Sequence, residues 1–395
     1  MAVIKMKLMI KNVRMIPEGV ADKCVLIEDG KILEIGLDAG FAEDATVLDG
    51  KGMYLAPGFI DLHVHGGGGF SLMTGKKEDV VKMCKAHLNE GTTSILPTTL
   101  ASPMPVLLNA IQGCKEAYDI YTEGTMLGVH LEGPFLSPEQ TGAQSPDAIS
   151  LPDIGKARQL LEQWDGGIKM MGVAPELPGA MEVGEYLRKN GVVGSCAHTN
   201  ATYADMVLAA DHGYTDITHL FSCCSTIKRV QGYRVSGVIE AALEMDHWTA
   251  QFIGDLRHLP PELIRLIYKC KGAEKAYLVT DGLEFSAAEL EEGVSYVQVN
   301  GMETVYEDGV MKLPHRQAFA GSVATMGKMV KNLVDHVGIS LRDAVRMATL
   351  TPAQVMGLTN KGRIAKGYDA DLVLMDENLI VRCVIAKGNI VRNDI

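Results

Sequence analysis

Short runs dominated by Val, Ile, Leu and Thr recur through the middle of the chain: "GFIDLHVH" (58–65), "TTSILPT" (92–98), "TMLGVHLE" (125–132), "IKMMGVAP" (168–175), "GVVGSCAH" (191–198), "TDITHLF" (215–221), "WTAQFIGD" (248–255) and "AYLVTD" (276–281). Each is too short for a helix and is bounded by polar or glycine residues, which predicts a strand buried on both faces. Between them the apolar positions take a helical period. Examples are "KKEDVVKMCKAHLNEG" (76–91) and "PPELIRLIYKCKG" (260–272), the second opening on prolines and closing on Gly272. Two more helical patterns follow, "SVATMGKMVKNLVDHVG" (322–338) and "SLRDAVRMATLTPAQVMG" (340–357), with Pro352 expected to open a last short helix. Strand and helix alternating in this way predict βα units around a parallel sheet. Eight such units predict an α/β fold of the (β/α)8 TIM barrel type.

The two ends have another rhythm. Residues 1–56 and 363–395 carry turn signals such as "EDGK" and "LDGKG" between short alternating runs, and neither end can bury a face alone. They are therefore expected to pair into one small β-sandwich, with the barrel of residues 57–362 inserted between its parts 1–56 and 363–395. The opening "MAVIKMKLMIKNVRMIPEG" interrupts its apolar residues with Lys and Arg, and reads as a strand and not as a signal peptide.

Composition narrows the partners. The chain has 395 residues, 47% hydrophobic and 22% charged, enough for a large core. Its formal net charge of -12 repels nucleic acid and anionic membrane, so neither is expected as a partner. No run approaches the ~18 apolar residues of a membrane span. Eight scattered cysteines, without a CxxC pair, suit a reducing cytoplasm.

Against this layout the polar residues fall into a pattern. His63 and His65 are two apart in a strand and share a face at the carboxyl end of the first run, where barrel active sites lie. A lone His-x-His is as readily two solvent-facing histidines. The difference here is recurrence: Glu132 ends the third run, His198 the fifth and Asp281 the eighth, and His219 lies near the end of the sixth. Imidazole and carboxylate ligands from separate strands suit zinc or iron. Asp281, with no cationic partner nearby in sequence, suits proton transfer beside an activated water. His130 is expected to pack inside its strand, and His87, His212, His247 and His336 to be surface or packing residues. Cys223 and Cys224 are read as small buried residues, whereas Cys196 shares the face of His198.

The combination "APGFIDLHVHG", "HLEGPFLSPE", "AHTNAT", "THLFS", "LVTDG", "AFAGSV" and "GRIAKGYDADLVLMD" resembles the N-acetylglucosamine-6-phosphate deacetylase family of the metal-dependent amidohydrolase superfamily, over essentially the whole chain. The resemblance implies a barrel with a small sandwich from both termini, a homodimer, and hydrolysis of the acetamide of an amino-sugar phosphate. It assigns Glu132, His198 and His219 as principal metal ligands, His63 and His65 as ligands of a second ion, and Asp281 as acid and base; one or two zinc or iron ions per subunit follow. Contacts to the amino-sugar substrate are implied for Ala143, Gln144, Ser222, Cys223, Arg229, His258, Phe319, Ala320 and Gly321. The glycines after His65 are expected to let the loop pass close to the metal.

The departures concern the substrate. The family's Asn-Ala-Met after "THLF" is replaced by "SCCST", and its Gly-Ala-His by Gly142-Ala143-Gln144. Lys228, Arg229 and Arg234 are all available for the family's phosphate-binding arginine, Arg229 nearest in register. A related amidohydrolase acting on a different N-acyl amino sugar, unphosphorylated, stays open as the alternative.

Overall fold

A computed structural model describes residues 7–16, 23–36 and 45–395. Residues 1–6 and 17–19 of the N-terminal strand reading lie outside these; Lys7–Met15 is a strand.

All eight runs contain a strand of one parallel sheet: β1 (Phe59–Val64), β2 (Thr92–Thr99), β3 (Val129–Glu132), β4 (Ile168–Val173), β5 (Val193–Cys196), β6 (Tyr214–Ile217), β7 (Thr249–Ile253) and β8 (Ala276–Val279), each hydrogen-bonded to the next in sequence. Every residue of β1 and β2 is buried, as strands sandwiched between side-chain layers and helices must be. The ring closes through the extension of β8: the Asp281 amide donates to the His63 carbonyl at 2.9 Å, and the His65 amide to the Gly282 carbonyl at 2.8 Å. This closure brings the first and last strand ends side by side.

The helical patterns hold, with local differences. Lys77–Asn89 buries Val80, Met83, Cys84 and Leu88, the stripe its period predicts. Gly272 does leave the helical region (φ 62, ψ -177), although the helical segment that begins at Pro261 is resumed to Lys275. In the last pattern the break falls at Thr349, between Leu341–Ala348 and Leu350–Val355. Pro352 therefore sits in the first turn of the short helix and does not open it; its missing N–H has no partner to lose there.

The chain ends do pair with each other. They form one continuous seven-stranded sheet, ordered Asn389–Asn393, Val381–Ala386, Leu372–Met375, Thr46–Pro57, Lys7–Met15, Lys23–Glu28, Lys31–Gly36. Thr46–Pro57 runs parallel to Lys7–Met15 and antiparallel to Leu372–Met375, so it joins the two halves and then enters β1 through Gly58 alone. Ile10, Val25, Leu55, Leu372 and Ile385 from both ends share one core. Two elements were not signalled by the barrel period: a hairpin of Lys228–Val230 and Tyr233–Val235 after β6, and a four-stranded sheet spanning Ser295 to Gly321 after β8. Among the described residues no helix is long and apolar enough to cross a membrane.

Candidate active site

The carboxylate of Glu132, at the end of β3, is the meeting point of the strand ends. Its Oε1 lies 2.8 Å from Nε2 of His219, 3.1 Å from Nε2 of His198 and 3.5 Å from Nε2 of His63, and its Oε2 lies 3.4 Å from Nε2 of His65. Oδ1 of Asp281 completes the cluster, 3.1 Å from His65 and 3.4 Å from His63. The structure thus brings together all six residues that the strand ends suggested. The turn out of the strand is sharp at three of them, with left-handed φ at His198 (43°), His219 (26°) and Asp281 (48°), a strain that surrounding structure must over-determine.

The far sides of the rings explain why the Nε2 atoms face inward. Nδ1 of His63 donates to the side-chain oxygen of Gln251 at 3.1 Å, Nδ1 of His65 to the Thr98 carbonyl at 3.1 Å, and Nδ1 of His198 to the Gln140 carbonyl at 2.8 Å. A neutral imidazole that donates through Nδ1 presents a lone pair at Nε2, the form a metal requires. The Gln251 amide is in turn oriented by the buried Asp216, to which it donates at 2.8 Å. None of these partners was found from sequence; only Gln251, an amide inside the apolar run "WTAQFIGD", left a signal.

Electrostatics point to a cation. Glu132 is buried, which favours its neutral form, yet the positive charge of His63 and His198 holds it well below the usual carboxylate range. Burial likewise opposes charge on His65, but hydrogen bonds and charge from Asp281 and Glu132 raise it to about 10; Asp281, opposed by burial, is held at about 2 by His65 and His63. Two buried carboxylates demand compensating positive charge, which protons on these rings or a metal ion at their Nε2 atoms can supply. Ligand atoms of His63, Glu132 and His219, and of His63, His65 and Asp281, lie within 4.8 Å of one another, so this mixed nitrogen and oxygen donor set fits a divalent metal.

The cluster floors a cavity of about 440 Å³. Of the residues expected to touch substrate, Ala143, Gln144, Ser222 and Cys223 line it, as do His258, Phe319, Ala320 and Gly321. Arg229 does not line it: that side chain is exposed on the hairpin after β6, and the cavity has no Lys or Arg among its described lining residues. His258 is fixed by Asp255, which accepts from Nδ1 at 2.7 Å and caps the turn through two backbone amides at 2.9 Å. Burial opposes its charge, but Asp255 outweighs this and raises it. Gln298 and Asn300, in the connection between the strands Ser295–Val297 and Glu303–Glu307, also reach the cavity; sequence reading missed them because no barrel strand carries them.

Other expectations are refined. His130 is packed in its strand, with Nδ1 donating to the Leu62 carbonyl at 3.1 Å. Cys196 and Cys224 are buried and do not line the cavity. The glycines after His65 serve close approach to protein neighbours: a Cβ at Gly66 would sit 2.6 Å from the Glu284 backbone, and one at Gly67 would sit 2.6 Å from the His87 ring.

The chain belongs to the amidohydrolase family, whose model matches residues 54–391. Within it, the chain is 31% identical to the N-acetylglucosamine-6-phosphate deacetylase of Lysinibacillus sphaericus over 98% of both chains. It is 27% identical to the N-acetylgalactosamine-6-phosphate deacetylase of Escherichia coli O157:H7, covering 85% of this chain and 87% of that one. Among solved structures it matches, at a TM-score of 0.88 and 29% identity over 98% of this chain and 100% of the other, a variant of the N-acetyl-D-glucosamine-6-phosphate deacetylase of Mycobacterium smegmatis in complex with N-acetyl-D-glucosamine-6-phosphate.

Proposed function

We propose that this chain hydrolyses the acetamide of N-acetyl-D-glucosamine 6-phosphate, releasing acetate and glucosamine 6-phosphate. The observation that carries the reading is the convergence of His63, His65, His198 and His219 on the Glu132 carboxylate beside Asp281, at the base of a substrate-sized cavity, in a chain similar to such deacetylases along its whole length. Glu132, His198 and His219 would hold one divalent ion, zinc or iron, and His63 and His65 a second. When bound, the ion polarises the amide carbonyl and acidifies water.

The chain's own groups do the rest. Asp281, whose Oδ1 lies 3.1 Å from Nε2 of His65 at the centre of the cluster, accepts a proton from the attacking water. It then returns the proton to the sugar nitrogen, which cannot leave as an amide anion because that anion is too basic. His258, tied through Nδ1 to Asp255 and lining the cavity, contacts the sugar or its phosphate. Arg229 on the exposed hairpin supplies the phosphate contact across a homodimer, which accounts for its place outside its own chain's cavity. The working division is residues 1–56 and 363–395 around a barrel of 57–362, in a cytoplasmic enzyme; the thiols of Cys84, Cys114, Cys196 and Cys383, buried and in no disulfide, accord with that compartment.

The absence of Lys and Arg among the described lining residues favours one second reading, deacetylation of the unphosphorylated sugar. Acetate release from N-acetyl hexosamines with and without the 6-phosphate, after loading with zinc, iron or manganese, separates the two. Faster hydrolysis of the unphosphorylated sugar establishes the second reading, and no acetate from any sugar rejects both.

A further inference from the structure

The metal cluster sits at the carboxyl ends of the strands. The opposite end carries a second cavity, of about 330 Å³, between the barrel and the seven-stranded sheet. Its place follows from its walls: Pro57 lies two residues before β1, and Thr349 and Leu350 precede Thr351, whose hydroxyl donates to the Ala273 carbonyl just ahead of β8. Arg342 and Arg346, on the helix Leu341–Ala348, and Arg363, on the segment returning to the sheet, line it together. No carboxylate is among its described lining residues.

Of the three guanidinium groups, that of Arg346 is poorly compensated. Nε of Arg346 is buried with no hydrogen-bond partner among the described residues, and its Nη2 stands 3.4 Å from Glu274, whose side chain is 76% exposed. Asp343, on the same helix, is engaged elsewhere, accepting from Ser340 at 2.9 Å and from the Tyr268 hydroxyl at 2.7 Å. The adjoining surface is mixed in charge, with Lys269, Lys271 and Lys275 beside Asp246, Asp343 and Glu274. Three like charges around one small cavity repel, and a buried donor without a partner costs free energy. Within the cavity itself no acid among the described lining residues is set against them, the Glu274 contact lying outside it. A bound oxyanion relieves both costs, because guanidinium forks match phosphate oxygens in geometry as well as sign. The remaining wall is apolar, from Ile16, Val345, Leu350 and Ile364, and suits a short carbon skeleton. The volume is at the lower end of the ~300–1,000 Å³ typical of small-molecule sites.

We propose that this cavity binds a phosphate monoester of a small molecule, at a site separate from the metal cluster. The probe is glycerol 3-phosphate, titrated by calorimetry into the metal-loaded chain and into R342Q/R363Q. Arg342 and Arg363 are exposed, so the double variant keeps its fold. Any binding of the probe at the metal-site cavity is common to both proteins and cancels in the comparison. The wild-type chain should take up one equivalent that the double variant takes up at least tenfold more weakly, and R346Q should weaken the same event. With no phosphate ester added beyond the substrate, the deacetylation kcat and KM of the variants should match the wild type. R158Q/K189Q changes the net charge equally on an exposed surface elsewhere and should bind as the wild type does. Equal uptake by the wild type and R342Q/R363Q overturns the proposal, and so does an equal loss in R158Q/K189Q, which would make the effect one of net charge.

Discussion

Gln144 donates its side-chain amide to Oε2 of Glu132 at 2.6 Å while its own oxygen accepts the Ala101 amide at 3.0 Å. Both ends of the side chain are therefore engaged, one of them on the carboxylate where four histidines meet. A residue that the family resemblance marks for substrate contact here also braces a candidate ligand. Groups that orient a ligating side chain commonly matter ~10–100-fold for metal affinity or activity. Gln144→Ala should lower kcat/KM by about that factor and weaken metal retention, measured by elemental analysis after dialysis; Gln144→His, which keeps a donor, should lose less.

His198→Ala and His219→Ala each remove a nitrogen in contact with Glu132. Bound metal and activity should disappear together in both. Double replacement of His63 and His65 should lower the metal stoichiometry instead of abolishing it, and an unchanged stoichiometry would mean a single ion.

Asp281→Asn keeps the size of the side chain and removes the base. Turnover should fall by at least ~10²-fold with metal content near normal. A variant that keeps wild-type turnover reassigns proton transfer to another group.

Arg229→Ala tests the phosphate contact. KM for the phosphorylated sugar should rise about tenfold or more while hydrolysis of the unphosphorylated sugar hardly changes. Equal effects on the two sugars would remove Arg229 from substrate recognition.

Asp216 offers a pH-dependent readout. Burial raises it from 3.8 to about 6, against hydrogen bonds from Thr249, Gln251, Ser195 and Tyr277. Its folded value exceeds its unfolded one, so its contribution to stability is complete below 3.8 and is lost as pH rises to about 6. Over that window the wild type should lose on the order of 3 kcal/mol relative to Asp216→Asn, from two pK units at 1.36 kcal/mol each. Urea midpoints of both proteins across the window measure it, and parallel curves would show that Asp216 does not titrate there.

The sequence by itself determined the barrel. Each strand is a local run whose burial on both faces leaves a continuous apolar signature, and the ends of those runs already carried His63, His65, Glu132, His198, His219 and Asp281. The pairing of the two chain ends was legible for a related reason, since neither half could cover its own apolar face. What the tertiary structure decided is everything that joins distant positions. Gln251 is 188 residues from the His63 ring it orients, and Thr98 is 33 from His65, separations at which no local period carries information. The cavity wall supplied by Gln298 and Asn300, and the exclusion of Arg229 from it, depend on where two excursions after β6 and β8 fold back. Hydrophobic periodicity reports which face of an element is buried. It does not report which polar atom from another element will meet it there, because that is fixed only when the ring closes.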